Sequence, residues 1–314
     1  MDSFEGRTAA ITGGGTGMGR ELAIQLAADG CHVAMCDVSA DNMADTAAQA
    51  AEGAPTGTRI TTFVADVADE AQVLAFRDHV AAEHGDVVHL LFNNAGIGGG
   101  GSIVTSSRHE WEHTFNVDFY GVYYGTRAFL PLLLAADEGH VVNTSSVNGF
   151  YAALGPTGAH TAYSAAKFAV KGFTEALVTD FRMNAPHLHA HVVMPGHIGT
   201  SIVANSVKIL GDRTTAEGAD GPDVLGNIGV TPADGDEAAK MIELFSEGFR
   251  TMAPTTAAEA ATTILDAVRA DRWRVLVGED AIALDAAVRA DPEGAYEPEL
   301  WGKLQAEGHF GAGR

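Results

Sequence analysis

Tyr163 and Lys167 stand four residues apart in Tyr163-Ser164-Ala165-Ala166-Lys167, in a stretch whose composition predicts a helix. That spacing sets a phenol and an ammonium on one helical face, one turn apart. A free tyrosine titrates near about pH 10 and accepts protons poorly at neutral pH. A fixed cation beside it favours the phenolate. Lowering its pKa by about 3 units would take roughly 4 kcal/mol of differential interaction, within reach of nearby charges in a dry cleft. The pair is a candidate proton donor and acceptor. The same spacing also describes an ordinary surface helix, so its meaning depends on the elements around it.

Short apolar runs alternate with Ala-rich helical stretches over the first 200 residues. Strands are predicted at 8–12, 32–37, 60–64, 88–93, 140–144 and 190–194, with a late one at 274–277. Helices are predicted at 18–28, 41–51, 70–83, 108–134, 161–184 and 256–270. This alternation predicts an α/β fold: a doubly wound parallel sheet with helices on both faces, in a single domain spanning 1–314. The core is expected at about 4–200 and 255–280. Between them, 201–254 is rich in Gly, Pro and acidic residues, and reads as a substrate lid, mobile at least in part, with a helix at 237–249. Residues 281–314 read as an extension, helical at first.

A glycine turn, Thr12-Gly13-Gly14-Gly15-Thr16-Gly17-Met18-Gly19, follows the first strand and opens the first helix. Glycines there let the backbone turn sharply and approach a pyrophosphate, whose charge the helix N-terminus meets. The spacing is Gly-x-x-x-Gly-x-Gly, unlike the commoner Gly-x-Gly-x-x-Gly. Asp37 ends the second strand, where a carboxylate can accept from both adenosine ribose hydroxyls and repel a 2′-phosphate. No Lys or Arg stands at 16, 38 or 39, and Arg20 already lies within the helix. NAD is therefore favoured over NADP.

Bulk composition excludes several classes. Nineteen basic against 41 acidic side chains give a formal charge of −22, which argues against nucleic acid or an anionic membrane as partner. No apolar stretch is long enough to span a bilayer, and no basic-then-apolar leader opens the chain. Cys31 and Cys36 are five residues apart along the second strand, too extended for a disulfide, so free thiols and a cytoplasmic setting are expected.

In order along the chain, these motifs resemble the classical short-chain dehydrogenase/reductase family: Thr12-Gly13-(x)3-Gly17-x-Gly19, Asp66-Val67, Asn93-Asn94-Ala95-Gly96, Asn116, Ser145-Ser146, Tyr163-(x)3-Lys167 and Pro195-Gly196-(x)3-Thr200. The resemblance implies a seven-stranded sheet and a catalytic set of Asn116, Ser146, Tyr163 and Lys167. Ser146, rather than Ser145, precedes x-x-Gly as the family's serine does. It would polarise the substrate oxygen, while Tyr163 exchanges the proton. Lys167 would lower the Tyr163 pKa, and Asn116 would hold a water leading toward it. Cofactor contacts would come from Gly13, Thr16, Gly17, Met18, Gly19, Asp37, Asp66, Val67, Asn93, Ala95, Gly96, Tyr163, Lys167, Pro195, Gly196, Ile198 and Thr200. The implied reaction is hydride transfer between a nicotinamide and a secondary alcohol or ketone. A homodimer or homotetramer, formed through the long helices, is also implied.

One departure is the interval between Ser146 and Tyr163, about four residues longer than is usual in the family. The extra length, Ala153 to His160, should reshape the substrate pocket. Phe150, Tyr151 and His197 are candidate substrate contacts, and Leu154, Ile97 and Ile202 candidate apolar walls. Trp111 reads as packing. His187, His189 and His191 alternate but lack companion ligands, so they read as a solvated strand entrance and no metal is expected. Two other readings stand beside the alcohol–ketone enzyme: a 3-oxoacyl-carrier-type reductase, which the acidic charge disfavours, and an NAD-binding scaffold without turnover.

Overall fold

Seven short runs rich in Val, Ile, Ala and Thr pair side by side. In the computed structural model, which describes residues 1–153, 155, 158–214 and 235–310, they are β1 (Thr8–Thr12), β2 (His32–Asp37), β3 (Ile60–Val64), β4 (Leu90–Asn93), β5 (Gly139–Thr144), β6 (Leu188–Pro195) and β9 (Arg274–Val277). All pairs are parallel, in the order β3-β2-β1-β4-β5-β6-β9. A separate two-stranded pair joins β7 (Ile198–Gly199) to β8 (Thr255–Thr256). The chain winds outward from β1 to β3, then crosses back to β4. That reversal opens a crevice at the carboxyl ends of β1 and β4, where open α/β sheets bind ligands.

The central strands are buried on both faces because both are covered, while the edge strands β3 and β9 stay partly exposed. Ala9, Ile11, Val33 and Met35 face one layer, with Leu22, Leu26, Ile264 and Leu265 from helices α1 (Gly17–Ala28) and α9 (Ala257–Arg269). Helix α2 (Ala40–Gly53) adds Met43 and Ala50 there. Ala10, Ala34 and Cys36 face the other, against Phe76, Phe129 and Phe181 of α3 (Glu70–His84), α5 (Gly121–Leu134) and α6 (Thr161–Asn184). Cys31 and Cys36 are free and buried, and burial pushes both thiols up. A third, smaller cluster sets Tyr151 against Leu284 and Leu304 of α10 (Glu279–Ala290) and α11 (Pro298–Ala306).

Four expectations need correction. The helix expected over 108–134 is broken: α4 (Arg108–Phe115) passes into a π turn at Asn116–Tyr120 before α5 begins. Strand β4 starts at Leu90 rather than 88, because the Val88 N–H turns aside to the Leu132 carbonyl. The 201–254 interval carries α7 (Ile202–Thr214) as well as α8 (Gly235–Thr251). The mobility expected of it falls largely on 215–234, outside the described residues. Finally, His191 is not a solvated entrance residue. It is fully buried, within hydrogen-bonding distance of buried His140 (2.9 Å), while His187 and His189 are half-buried.

Candidate active site

The glycine turn is held from below by the end of β4. Thr12 Oγ1 accepts from the Asn94 and Ala95 N–H groups (3.0 and 3.1 Å), and Asn94 Nδ2 donates to the Thr12 and Gly13 carbonyls (3.1 and 3.3 Å). Gly13 and Gly17 take positive φ, +68° and +56°. A Cβ on Gly19 would stand 2.1 Å from the Gly13 carbonyl oxygen, so only glycine lets α1 start this close to the turn. Asp37 accepts from the Gly15 and Ser39 N–H groups, both at 3.0 Å. Arg20 is committed elsewhere: its guanidinium donates to the Gly15 carbonyl and Thr46 Oγ1. Helix α7 reaches over the crevice, with Asn205 Nδ2 donating to Thr16 Oγ1 at 3.0 Å and the Gly98 N–H donating to Ser206 Oγ at 2.7 Å.

Beside this cradle lies a cavity of about 570 Å³. Ser146, Tyr163 and Lys167 line it, as do Met18, Asn94, Gly96, Pro195, Gly196, His197, Ile198 and Thr200. Ser146 comes from the end of β5, and its Oγ accepts from the Asn148 N–H at 3.1 Å. Lys167 Nζ lies 5.2 Å from the centre of the Tyr163 ring and donates to the Thr144 carbonyl at 3.2 Å. The neighbouring Ser145 hydroxyl donates to the Lys167 carbonyl at 2.7 Å, tying α6 to β5.

The partner of Lys167 carries no sequence signature of its own. Asp118 Oδ1 lies 3.3 Å from its Nζ, both groups being closed off from solvent. Asn116, expected near the lysine, instead lines a second hollow of about 410 Å³ with Asp66, Asp69, Gln72 and His109. The π turn adds a residue to the helix and rotates the residues after it, which carries Asp118 to the site. The one general hint, short of a signature, is that an ionisable residue between Val117 and Phe119 needs a partner if it is buried.

Burial and Asp118 outweigh Lys167, which pulls the Tyr163 pKa down as expected. Burial raises the Tyr163 pKa; Lys167 and Ser146 pull it down, Asp118 pushes it up, and the net direction is above the ordinary value. Burial pulls Lys167 down, but Asp118 and Tyr163 hold it above its ordinary value. Burial lifts Asp118 to about 6 against the pull of Lys167 and the Ile97 N–H.

The other expected contacts divide between the cavity and the core. Asn93 turns inward, donating to Asn143 Oδ1 (2.8 Å) and Thr126 Oγ1 (3.1 Å), and so braces strands while Asn94 faces the cavity. Ala95 backs Gly13, and Val67 packs under Gly121. Asp66 caps its own turn, accepting from the Ala68 N–H at 2.9 Å. Tyr151 and Ile202 line the cavity. Phe150 packs instead into the third cluster, Ile97 sits in the core, and Leu154 lies outside the described residues. His197 does face the cavity, but its Nε2 is spent on the Phe249 carbonyl at 2.7 Å. Trp111 packs on Phe115 with ring centres 5.5 Å apart, and its indole N–H donates to Thr161 Oγ1. His160 was missed: it stacks on the Tyr163 ring at 4.5 Å, and burial holds it neutral, near about 4.

A family description for short chain dehydrogenases matches residues 7–209. The chain belongs to the short-chain dehydrogenase family. A Mycobacterium tuberculosis protein named as oxidoreductase SadH is 37% identical over 291 residues, 92% of each chain. Levodione reductase of Leifsonia aquatica is 34% identical over 218 residues, covering 69% of this chain and 79% of that one. A short-chain dehydrogenase/reductase from Burkholderia phymatum, crystallised with NAD, superposes with a TM-score of 0.76 at 29% identity, covering 94% of this chain and 95% of that one. This short-chain dehydrogenase is thus an oxidoreductase with a nicotinamide-dinucleotide fold, and the glycine cradle fits such a group. Among the described residues no helix is long and apolar enough to cross a membrane.

Proposed function

We propose that this short-chain dehydrogenase uses NAD to interconvert a bulky, largely apolar secondary alcohol and its ketone, with Tyr163 exchanging the proton. The observation that carries the reading is the convergence of Ser146, Tyr163 and Lys167 on one apolar cavity beside the glycine cradle. Bound dinucleotide would supply the hydride acceptor or donor. Ser146 Oγ would hold the substrate oxygen, and Tyr163 would take its proton in oxidation or return it in reduction. Lys167 would hold the cofactor's ribose and keep a positive charge beside the phenol. Gly13, Thr16, Gly17, Met18, Gly19, Gly96, Pro195, Gly196, Ile198 and Thr200 would hold the dinucleotide.

Asp37 supports NAD over NADP. Its carboxylate stands at the strand end where a 2′-phosphate would lie, and Arg20, the nearest cation in sequence, already serves the turn's backbone. The substrate class is argued from the walls: Tyr151, Leu244, Phe245, Phe249, Trp301 and Phe310 leave few polar partners beyond the reacting oxygen. A relative named for reducing levodione fits a ketone substrate. The exposed aromatic face of Tyr120, Tyr123 and Phe168 supports pairing with a second copy. The acidic charge and free thiols support a cytoplasmic setting without nucleic-acid or membrane partners.

NADH formation over a panel of secondary alcohols of graded bulk, repeated with NADP, tests this. Activity with NAD on bulky apolar alcohols is the expected result. Asp37→Ala should cut the NAD-over-NADP preference at least tenfold. Cofactor binding without turnover on any alcohol or ketone would replace the enzyme reading with the scaffold.

A further inference from the structure

We propose that Asp118 sets the acidity at which Tyr163 trades its proton, by holding Lys167 in a buried ion pair rather than leaving it an unopposed cation. The inference rests on Tyr163 being the acid–base group. Asp118 acts through the lysine, which makes it a positioning residue.

Three observations support it. Asp118 is fully buried, and its Oδ1 lies 3.3 Å from Lys167 Nζ while accepting from the Ile97 N–H at 3.1 Å. Its Oδ2 has no hydrogen-bond partner among the described residues, so the lysine is its only counter-charge there. The loop after β4 is shaped around the pair: a Cβ on Gly96 would fall 2.7 Å from Asp118 Oδ1 and 3.2 Å from Lys167 Nζ. The charged or titratable groups acting on Asp118 and Lys167 are each other and Tyr163, with the Ile97 N–H and Thr144 carbonyl as neutral dipoles. A lone ammonium 5.2 Å from the ring would favour the phenolate strongly. An anion on the far side of that ammonium cancels much of its field and adds to burial in pushing Tyr163 up.

The test is the pH profile of kcat/KM for alcohol oxidation in Asp118→Asn, which removes the charge and keeps the shape. The inflection assigned to Tyr163 should move at least about one pH unit to the acid side, with NADH affinity held within a few-fold. A coincident profile overturns the proposal. Should that variant fail to fold, Asp118→Ser, which also removes the charge, takes its place, read by phenolate absorption in the cofactor-free protein against Tyr163→Phe. Phenolate emerging at the same pH in wild type and Asp118→Ser would overturn the proposal. Full turnover in Tyr163→Phe would defeat the acid–base reading itself. An inactive Tyr163→Phe beside an unmoved Asp118→Asn profile would defeat only this inference.

At the opposite end of the sheet, the geometry points independently to a divalent transition-metal site formed by His140, His191 and Asp271. Their ligand atoms all lie within 4.8 Å of one another. His191 Nδ1 faces the Arg272 carbonyl at 2.9 Å, which only accepts, so that nitrogen carries the hydrogen and Nε2 offers a lone pair. His140 Nε2 faces the Glu138 carboxylate at 3.1 Å, which fixes its hydrogen there in the neutral ring and leaves Nδ1 a lone pair. The two nitrogens stand 2.9 Å apart with ring centres 5.1 Å apart, so their lone pairs point nearly head-on: a proton bridges them as they stand, and an ion requires the rings to turn toward it. Two ligand atoms bound at about 2.1 Å stand at most about 4.2 Å apart, so an ion would draw in the set, now spread over up to 4.8 Å, by rotation of the exposed Asp271 side chain. Glu138 and the Arg272 carbonyl are the outer partners that orient metal-bound imidazoles, and His189 Nδ1 sits 2.8 Å from Asp271 Oδ1.

Chelator-treated protein titrated with Co²⁺ should take up one ion per chain with new visible absorption, displaced by Zn²⁺. His140→Gln and Asp271→Ala, checked for folding by circular dichroism, should each weaken uptake at least tenfold. No saturable uptake, or equal uptake in both variants, would overturn the site and leave a proton shared between the rings.

Discussion

Trp301 of α11 lies against Gly155, where an added Cβ would meet the indole at 3.2 to 3.4 Å. The contact joins the insertion ahead of Tyr163 to the C-terminal extension, two segments far apart in sequence. Gly155 adopts a positive φ of +65°, which glycine takes freely. Phe310 stacks on the same indole, its ring centre 4.9 Å from that of Trp301. Both aromatics line the cavity, so the chain's own tail closes the substrate side.

Trp301→Ala should therefore change selectivity more than chemistry. With the indole gone, kcat/KM for bulky alcohols should fall about tenfold, the worth of roughly 1.4 kcal/mol of apolar contact, while compact alcohols change little. Stability should drop by about 1–2 kcal/mol, less than for a fully buried aromatic. An equal loss for bulky and compact substrates would make Trp301 a packing residue only.

Tyr163→Phe should retain cofactor affinity, because the ring still packs on His160 and only the hydroxyl is lost. Turnover should fall at least about 10²-fold, the low end for general acid–base catalysis. NADH fluorescence titration and steady-state rates measure the two separately. A loss confined to affinity would move the acid–base role to another group.

The sheet was legible because strands covered on both faces read as short, largely apolar runs, and all seven stand within two residues of where the pattern put them. The glycine turn, Ser146, Tyr163 and Lys167 were legible because each has a local signature. Asp118 was not, since an unbroken α-helical period carried through 108–134 hides the π turn that rotates it onto Lys167. The direction of the Tyr163 shift was hidden too: it comes first from burial and then from the anion that opposes the lysine, and no local pattern discloses either. Helix α11 did carry a start signal, Pro298 in its first turn, but its short length hid the period. Contacts such as Trp301 with Gly155 depend on tertiary docking and leave no local trace.

Gly19→Ala tests the cradle. The new methyl would meet the Gly13 carbonyl oxygen at 2.1 Å and Asn94 Nδ2 at 2.7 Å, and the first of these is backbone that has nowhere to retreat. The turn must open, so NADH affinity should fall more than tenfold and the melting temperature should drop. Unchanged affinity would show that the turn does not hold the dinucleotide.

His84 makes acid sensitivity local. Its ring is buried at the end of α3, with Nε2 2.8 Å from Thr61 Oγ1, and burial helped by Arg59, His32 and His79 pushes its pKa down to about 4. The folded protein keeps the ring neutral, whereas the unfolded chain protonates it near about 6.5. Protons therefore favour the unfolded state between these values. The ring's contribution is complete above pH about 6.5 and is lost as pH falls toward about 4. At pH 5 the loss amounts to about 2 kcal/mol. His84→Gln, which cannot titrate, should lack this loss. Urea unfolding of both proteins should give a stability gap that narrows by about 2 kcal/mol between pH 7.5 and pH 5, and parallel curves would rule the burial argument out for this residue.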